Sequence, residues 1–337
     1  MLKSEVLRMK IDFVMPWVDG NDPQWQQLRN SYSTQPETID ESRYRDWDIL
    51  KYWFRAVETY APWVNRIHFV TCGQQPDWLN PAHPKLNLVD HRDFIPEAYL
   101  PTFNSMTIEL NFHRIPGLAE HFVYFNDDTY INAPVEPEDF YSKGLPRACG
   151  ILSQTIPIKP GDAHMHTICN NIAIINRHFN KKQVLKSNFP KWFHPKYGTA
   201  LIKNLLSVPG TGFAGFSLPH VASPMLRSTF EQVWDLEQEL LDQACRSQFR
   251  SSNGLNQYLM SHFDLCSGRF APQSPKVGKY YGIGPDTDAI CRDIAQQTHK
   301  LICINDHEGP IDFEKEKATL TAAFEAAFPT PSTFELS

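Results

Sequence analysis

The chain has 337 residues, of which 42% are hydrophobic and 12% aromatic, so it can bury a substantial core. Its net charge of −6 argues against a nucleic-acid-binding protein, because such proteins carry surplus Lys and Arg to meet phosphates. The sequence contains no run of about 20 apolar residues. We therefore expect no membrane-spanning helix and, at most, peripheral association with a membrane.

The seven cysteines are odd in number, scattered along the chain, and never paired in a Cys-x-x-Cys motif. This pattern favours reduced thiols over a disulfide framework or a structural zinc site. Residues 1–10 carry charges and no apolar run, so they do not resemble a secretory signal. Together these features predict a cytoplasmic protein that works at most at the inner face of the cell membrane.

Short apolar runs that end in turn residues predict the strands of a sheet. We expect strands over 11–18, 66–71, 86–90, 121–125 and 171–176. Helical patterns alternate with them, which predicts an α/β fold, Rossmann-like, with a largely parallel sheet flanked by helices. In such folds ligands bind beyond the carboxyl ends of the strands. The acidic loops after 11–18 and 121–125 both fall at that edge.

Helices are predicted where apolar residues recur at intervals of three and four. One covers 43–60, where the apolar stripe consists of Trp47, Leu50, Phe54 and Val57. A shorter one covers 106–115, with Ser105 as its N-cap.

From 177 to 300 the pattern becomes more helical, which suggests a helical insertion or subdomain. Helices are expected over 230–245 and 254–265, and a loop over 272–286. Strand character returns at 301–304, and a last amphipathic helix is expected over 313–328.

The motif Asn126-Asp127-Asp128 carries the clearest chemical signal. Carboxylates at a strand end are hard oxygen ligands that suit Mg²⁺ or Mn²⁺. A metal there would bridge the phosphates of a nucleotide-activated sugar. The alternative is a solvated turn, because Asn and Asp favour turns. The position after an apolar strand favours the metal site.

A second motif, Trp17-Val18-Asp19-Gly20-Asn21-Asp22-Pro23, follows the first strand. Gly20 beside acidic residues lets the backbone approach a ligand closely, and Trp17 offers a ring face to a base or a sugar. A tight turn with Trp17 in the core explains the same residues equally well.

Several other residues have both a chemical and an ordinary explanation. Glu109 lies four residues past the predicted Ser105 cap, near the first turn of the helix, where it could accept a hydroxyl proton, but the helix dipole alone explains a carboxylate there. Arg250 could clamp a phosphate, although most such arginines are surface residues. His164 and His166 would share one side of a strand, but without an evident third metal ligand we expect ordinary surface histidines.

Four blocks, taken together, resemble the Stealth family of sugar-phosphate transferases. The first is IDFVMPWVDGNDP at 11–23. The second is long and specific, and includes RYRDWDILKYWF at 43–54, VDHRDFIP at 89–96 and HFVYFNDDTYI at 121–131. The third consists of LPHVASPM at 218–225 and QFRSSNGLNQYLMSHFDLCSG at 248–268, and the short fourth is KLICIND at 300–306. The blocks keep the order in which the family carries them.

The resemblance implies transfer of a sugar 1-phosphate from a UDP-sugar, such as a UDP-N-acetylhexosamine, to a hydroxyl of a glycan or lipid-linked saccharide. UMP would be released, in bacterial cell-surface polysaccharide synthesis. The positions that match the family's essential residues are Glu109, Asp128, His220 and Arg250. Two features depart from the pattern: Pro16 stands where many relatives have Thr, and Val221 follows His220 where they often carry a second histidine.

These observations predict one Stealth-type catalytic domain over 1–337, with three parts. We expect an α/β core, 11–176, that binds the nucleotide sugar, a mostly helical region, 177–300, that covers the acceptor, and a final strand and helix in 301–337. The predicted metal ligands are Asp127, Asp128 and Asp306. The predicted donor-binding residues are Trp17, Asp19, Gly20, Asp22 and Asn104.

The proton acceptor stays open between His220 and Glu109. Two rival functions also stay open. A conventional metal-dependent glycosyltransferase would use the same donor but release UDP, because it attacks the anomeric carbon. A non-catalytic carbohydrate-binding protein would turn over no donor.

Overall fold

The protein is described by a computed structural model, which covers residues 9–33, 46–157, 162–217, 219–306 and 309–336. The strands are β1 (Ile11–Pro16), β2 (Arg66–Thr71), β3 (Leu86–Asp90), β4 (His121–Tyr124), β5 (Thr129–Ile131), β6 (Tyr141–Ser142), β7 (Leu145–Ala148), β8 (Ser223–Leu226), β9 (Ala271–Pro272), β10 (Gly278–Gly282) and β11 (Leu301–Asn305). The helices are α1 (Pro23–Tyr32), α2 (Leu50–Tyr60), α3 (Ser105–Leu110), α4 (Pro137–Phe140), α5 (Ala163–His178), α6 (Lys181–Ser187), α7 (Phe189–Trp192), α8 (Leu201–Ser207), α9 (Arg227–Cys245), α10 (Tyr258–Ser267), α11 (Thr287–Gln296) and α12 (Phe313–Ala327).

The central sheet has the strand order β3-β2-β1-β4-β8. The first four strands run parallel, and β8 pairs antiparallel with β4 at the edge. Helices pack on both faces of this sheet. The expected α/β, Rossmann-like architecture with a largely parallel sheet is therefore confirmed.

Side chains that alternate along the central strands divide the core into two layers. Phe13 and Val123 point into a layer formed with α2, α11 and α12. Val14 and Phe122 point to the opposite side, where they pack with α5, α9 and α10. Because both faces are covered, the central strands are apolar on both sides, which explains their nearly continuous hydrophobic runs.

A smaller sheet, in the order β10-β11-β5, brings the end of the chain back to the site. In it β5 pairs antiparallel with β11, and Thr129 lies opposite Cys303. The backbone N–H of Ile304 donates to the carbonyl of Asp128 at 2.8 Å. The carboxyl end of β11 is thereby held beside the loop that follows β4.

The prediction of a strand over 171–176 is wrong, because this segment lies inside helix α5. Its β-branched residues suggested a strand, but Ile168, Ile172 and Ile175 recur at helical spacing and all face the core. Asp162 caps the helix by accepting from the N–H of Met165 at 3.1 Å.

Other predictions of helix ends and loops also differ from the structure. The helix predicted over 43–60 begins at Leu50, since 46–49 are not helical and 43–45 lie outside the described residues. The predicted cap at Ser105 is wrong, because Asn104 is the N-cap and Ser105 the first helical residue. The expected loop over 272–286 contains strand β10, which pairs with β11.

The region 177–300 is largely helical, from α6 to α11, but it also supplies β8 to the central sheet and β10 to the smaller one. All seven cysteines are free thiols. No helix in the described part of the chain is long and apolar enough to cross a bilayer.

Candidate active site

Two parallel neighbours, β1 and β4, end side by side at the carboxyl edge of the central sheet. The loop after β1 carries Asp19 and Asp22, and the loop after β4 carries Asp127 and Asp128. The end of β11 adds Asn305, followed directly by Asp306. Because parallel strands present their carboxyl ends at one edge, the acidic loops after β1 and β4 lie at the same edge, as the sequence predicted. The end of β11 reaches this edge from the smaller sheet, through the hydrogen bond from the Ile304 N–H to the Asp128 carbonyl.

The Asp128 carboxylate is the centre of the hydrogen-bond network at this edge. Its Oδ2 accepts from Asn305 Nδ2 at 2.9 Å and from Cys303 Sγ at 3.3 Å, and lies 3.3 Å from His220 Nε2. Its Oδ1 accepts from Asn126 Nδ2 at 3.1 Å. Burial alone would raise the pKa of Asp128, but the hydrogen bonds from His220, Cys303 and Asn126 outweigh it and hold the pKa below its ordinary value.

His220 comes from the loop before β8 and is held from both ring nitrogens. Its Nε2 lies beside Asp128, and its Nδ1 is 3.2 Å from the hydroxyl of Tyr258 on α10. Burial would lower the pKa of His220, but the hydrogen bond and charge of Asp128, aided by Glu109 and Asp127, raise it. The charged form of the imidazole is therefore stabilised by the acidic residues that it faces.

Glu109 lies near the end of the short helix α3 and is almost fully buried. The hydroxyl of Tyr124 is 3.1 Å from Glu109 Oε1 and 3.1 Å from Asn126 Oδ1, so it connects the glutamate to the acidic loop. Burial raises the pKa of Glu109 to about 7, even though the charge of Arg250 and the Tyr124 hydrogen bond oppose it. A carboxyl with that pKa exchanges protons near neutral pH.

Asp127 is solvent-exposed and precedes Asp128 in the chain, and the charges of the two carboxylates interact. The surrounding protein and then the charge of Asp128 raise the pKa of Asp127 to about 7. Two adjacent carboxylates that cannot both ionise freely are the electrostatic signature of a site that gains from a bound cation.

Arg250 supplies positive charge at the opposite side of this cluster. Its Nη2 donates to the hydroxyl of Ser105 at 2.8 Å, at the start of α3. Its charge acts to lower the pKa values of both Glu109 and Asp127, so the guanidinium lies close to these two carboxyls. The loop before α10 thus brings a guanidinium to the start of α3, the helix that carries Glu109.

The donor atoms of Asp128, His220 and Cys303 all lie within 4.8 Å of one another. Oxygen, nitrogen and sulfur together are a set typical of zinc, whereas Mg²⁺ and Mn²⁺ prefer oxygen. Burial and the charge of Asp128 raise the pKa of Cys303 well above its ordinary value, so its thiol donates a hydrogen bond. The oxygen atoms of Asp127 and Asp128 therefore fit a hard cation better than the mixed set does.

The loop after β1 is ordered by a residue that the sequence did not single out, Gln74. Its Nε2 donates to the Asp19 carbonyl at 3.0 Å and to Asp22 Oδ2 at 2.9 Å, and its Oε1 accepts from the Asp19 N–H at 2.9 Å. Asp22 also caps α1, and the Gly20 carbonyl accepts from Gln26 at 2.7 Å. The side chain of Trp17 stacks on Phe69, with ring centroids 5.7 Å apart.

Asn104 is buried, and both its side-chain oxygen and its side-chain nitrogen form hydrogen bonds within the protein. Its Oδ1 accepts from the N–H of Met106, and its Nδ2 donates to the carbonyl of Ser247, both at 3.2 Å. These bonds tie the start of α3 to the segment that leads to Arg250. The side chain thus positions Glu109 and Arg250 relative to each other.

Besides Gln74, the structure adds Tyr124, Tyr258 and Cys303, which sequence reasoning also missed. All three lie in apolar runs and looked like core residues. Only the polar partners that the fold places against them reveal a role. His164 and His166, expected on a strand, lie on helix α5, where a helical turn does not put residues two apart on one face.

Three sequence models for Stealth proteins match the chain: conserved region 1 over residues 9–36, conserved region 2 over 43–148 and conserved region 4 over 292–337. The capsular polysaccharide phosphotransferase WcwK of Streptococcus pneumoniae is 43% identical over 328 residues, 96% of this chain and 98% of the relative. The exopolysaccharide phosphotransferase cps2G of Lactiplantibacillus plantarum is 40% identical over 327 residues, 96% of each chain.

Among solved structures, the galactosyltransferase LgtC, in complex with donor and acceptor sugar analogues, aligns with 92% of this chain and 95% of its own. Its sequence identity is 10% and its TM-score 0.37, a likeness too loose to argue from. The regional matches and the relatives that align over nearly the whole length lead to one conclusion. The chain belongs to the Stealth family.

Proposed function

We propose that the protein transfers a sugar 1-phosphate from a UDP-sugar to a hydroxyl of an acceptor saccharide and releases UMP, in the synthesis of a bacterial cell-surface polysaccharide. The observation that carries this proposal is the convergence of Asp128, His220, Glu109 and Arg250, from four separate chain segments, on one edge of the sheet. Relatives named as capsular and exopolysaccharide phosphotransferases support transfer of a phosphate-linked sugar rather than of the sugar alone.

In this proposal Asp127 and Asp128, with Asp306 at the neighbouring strand end, would hold Mg²⁺ or Mn²⁺. The ion, when bound, would neutralise charge on the pyrophosphate. The loop from Asp19 to Asp22, fixed by Gln74, forms the side of the site that meets the nucleotide.

Two cationic side chains would stabilise the phosphate during transfer. Arg250 presents a planar guanidinium suited to a bidentate contact with phosphate oxygens. His220, whose charged form is stabilised by the neighbouring carboxylates, adds a second donor close to Asp128. Both groups are already held in place by the protein, by Ser105 and by Tyr258, so little reorganisation is needed as charge develops.

We propose Glu109 as the general base. Its pKa of about 7 lets it be ionised in part of the population and still bind a proton strongly. The acceptor oxygen loses its proton to Glu109 and attacks the β-phosphorus. The bond from that phosphorus to the bridging oxygen breaks, and UMP leaves with the electron pair. His220, whose two ring nitrogens face Asp128 and Tyr258, is the alternative base.

The acceptor is proposed to enter over the region 177–300, which contributes both His220 and Arg250. The core 11–176 is proposed to hold the donor, with the glycan or lipid-linked saccharide facing it. The donor sugar stays undefined, because no described contact discriminates between hexoses.

The deciding experiment measures nucleotide release from a panel of UDP-sugars, including UDP-N-acetylhexosamines, with short oligosaccharide acceptors. The reaction is run with Mg²⁺, with Mn²⁺ and with chelator, and UMP is separated from UDP. Metal-dependent UMP is expected, and D128N should form almost none. Release of UDP would instead identify a conventional glycosyltransferase. Donor binding without turnover under every condition would identify a carbohydrate-binding protein.

A further inference from the structure

The charge of the chain is distributed unevenly. Between residues 163 and 230 there is no Asp or Glu, although the chain as a whole carries a net charge of −6. The same stretch contains eight basic residues: Arg177, Lys181, Lys182, Lys186, Lys191, Lys196, Lys203 and Arg227. Arg177 and Arg227 pair with Glu237 and Glu231 outside the stretch, so its uncompensated charge comes from the lysines. Charge asymmetry of this kind indicates a surface that meets a polyanion or an anionic membrane.

Within this basic stretch, helix α8 buries a polar residue and exposes leucines, the opposite of the usual arrangement. Asn204 is fully buried, and its Nδ2 donates to the carbonyl of Gly150 at 2.7 Å while its Oδ1 accepts from the Leu152 N–H at 2.6 Å. Leu205 and Leu206 are instead 60% and 77% exposed. A helix that only packed on the core would do the opposite, because burial of leucine is favourable and burial of an amide is not.

Nearby exposed apolar residues extend this surface. Ile202 is 58% exposed on the same helix, and Val208, just beyond its end, is 43% exposed. Asn204 Nδ2 also reaches the carbonyl of Trp192, which holds α7 against α8, and Phe189 at the start of α7 is 57% exposed. We call this surface the α8 patch: Phe189, Ile202, Leu205, Leu206 and Val208.

Lysines surround the α8 patch. Lys203 lies on α8 itself and is exposed, and Lys196 lies exposed in the turn that leads into it. The ammonium of Lys181 donates to the carbonyl of Pro209 at 3.2 Å, which places the start of α6, and with it the exposed Lys182, beside the end of α8. Large exposed apolar side chains with a basic rim match the polarity of an anionic bilayer surface.

We propose that the α8 patch docks the enzyme onto the anionic surface of a lipid bilayer. The leucines would insert at the level of the acyl chains, and the lysines would contact acidic headgroups. A second copy of the chain is a poorer occupant, because two basic surfaces facing each other would repel. This inference goes beyond the proposed reaction and does not depend on it.

Docking would also orient the site. Leu152, whose N–H binds Asn204, pairs with Phe216, and the Ser217 N–H donates to the carbonyl of Ile151 at 2.8 Å. His220 follows three residues after Ser217. The docking helix is thus joined through hydrogen bonds to the segment that carries a proposed catalytic residue, which suits an acceptor presented from the bilayer.

The test is sedimentation of the full chain with vesicles of phosphatidylglycerol and phosphatidylcholine in equal parts, compared with phosphatidylcholine alone. Binding is expected only to the anionic vesicles and should weaken as salt is raised. The double variant L205E/L206E should bind at least about a hundredfold more weakly, since each leucine contributes an order of magnitude or more. K203A should lose about fivefold.

A matched control is L236E/L240E on helix α9, where two leucines are also exposed but acidic residues are nearby. It should bind vesicles like the unmodified chain. Thermal unfolding and UMP release from soluble substrates should be unchanged in all variants. Loss of vesicle binding would therefore be distinguishable from loss of the proposed enzymatic activity. Equal vesicle binding by L205E/L206E would overturn the proposal. So would a dimer in solution, measured by light scattering, that L205E/L206E converts to a monomer.

Discussion

Replacing Glu109 with Gln should make the protein more stable at alkaline pH and much less active. A folded-state pKa of about 7 in place of the ordinary 4.5 corresponds to about 3 kcal/mol, because each pKa unit is equivalent to ~1.36 kcal/mol. Since the folded pKa is raised, the contribution of Glu109 to stability is fully present below pH 4.5 and is lost as pH rises through about 7. Gln keeps the shape of the side chain but removes this cost.

The measurement is thermal unfolding of both proteins across a range of pH. An unfolding entropy of ~2.1 cal/mol/K per residue over 337 residues converts about 3 kcal/mol into a Tm gain of about 4 °C at pH 8. At pH 5 the same reasoning leaves only about 1 °C, because Glu109 is then protonated in the folded state. UMP release by E109Q should be at least about a hundredfold slower, as expected for loss of a general base.

A suitable control is E97Q, at an exposed glutamate, which should change neither Tm nor turnover. The reasoning about burial is refuted if E109Q is no more stable than the unmodified chain at pH 8, or if its gain is the same at pH 5. If stability rises as expected but turnover persists, Glu109 is buried without being the base. The pH–rate profile of H220Q would then identify the proton acceptor.

Three further outcomes follow from contacts at the site. D128N should lower turnover at least about a hundredfold and abolish its dependence on Mg²⁺, with CD spectra unchanged; retained metal dependence would contradict the assignment of this carboxylate. Q74A should raise the KM for the donor about tenfold with little change in kcat, because about three hydrogen bonds that order the first loop are lost, whereas Q75A serves as the neighbouring control. R250K should reduce kcat/KM about tenfold or more, since Lys keeps the charge but not the planar fork; equal rates would show that the phosphate needs only a point charge.

The sequence by itself determined the sheet and the acidic edge. Continuous apolar runs can be buried on both faces only as central strands, so β1, β2, β3 and β4 were predicted within two residues of their bounds. The parallel order then required the acidic residues after β1 and β4 to meet. The family blocks added residue positions that no local pattern would have selected, such as His220.

Local sequence patterns led to wrong predictions where a short segment fits both a strand and a helix. Within the six residues 171–176 the isoleucines are consistent with a strand. The helix becomes evident only from Ile168, which precedes them at helical spacing, and from the N-cap Asp162. Tyr124 and Tyr258 look like core residues, because an aromatic ring in an apolar run is usually buried for its area alone.

Tertiary structure alone decided which polar groups share the site. Antiparallel pairing of β5 with β11 brings Cys303 and Asn305 to Asp128, about 175 residues away in the chain, and burial of Glu109 raises its pKa to about 7. The exposure of the leucines on α8 likewise depends on tertiary structure, because Asn204 is buried by its hydrogen bonds to Gly150 and Leu152, about 50 residues earlier in the chain. Burial, charge proximity and hydrogen bonding between distant segments are properties of three-dimensional packing, and local sequence patterns record only which side chains are available for it.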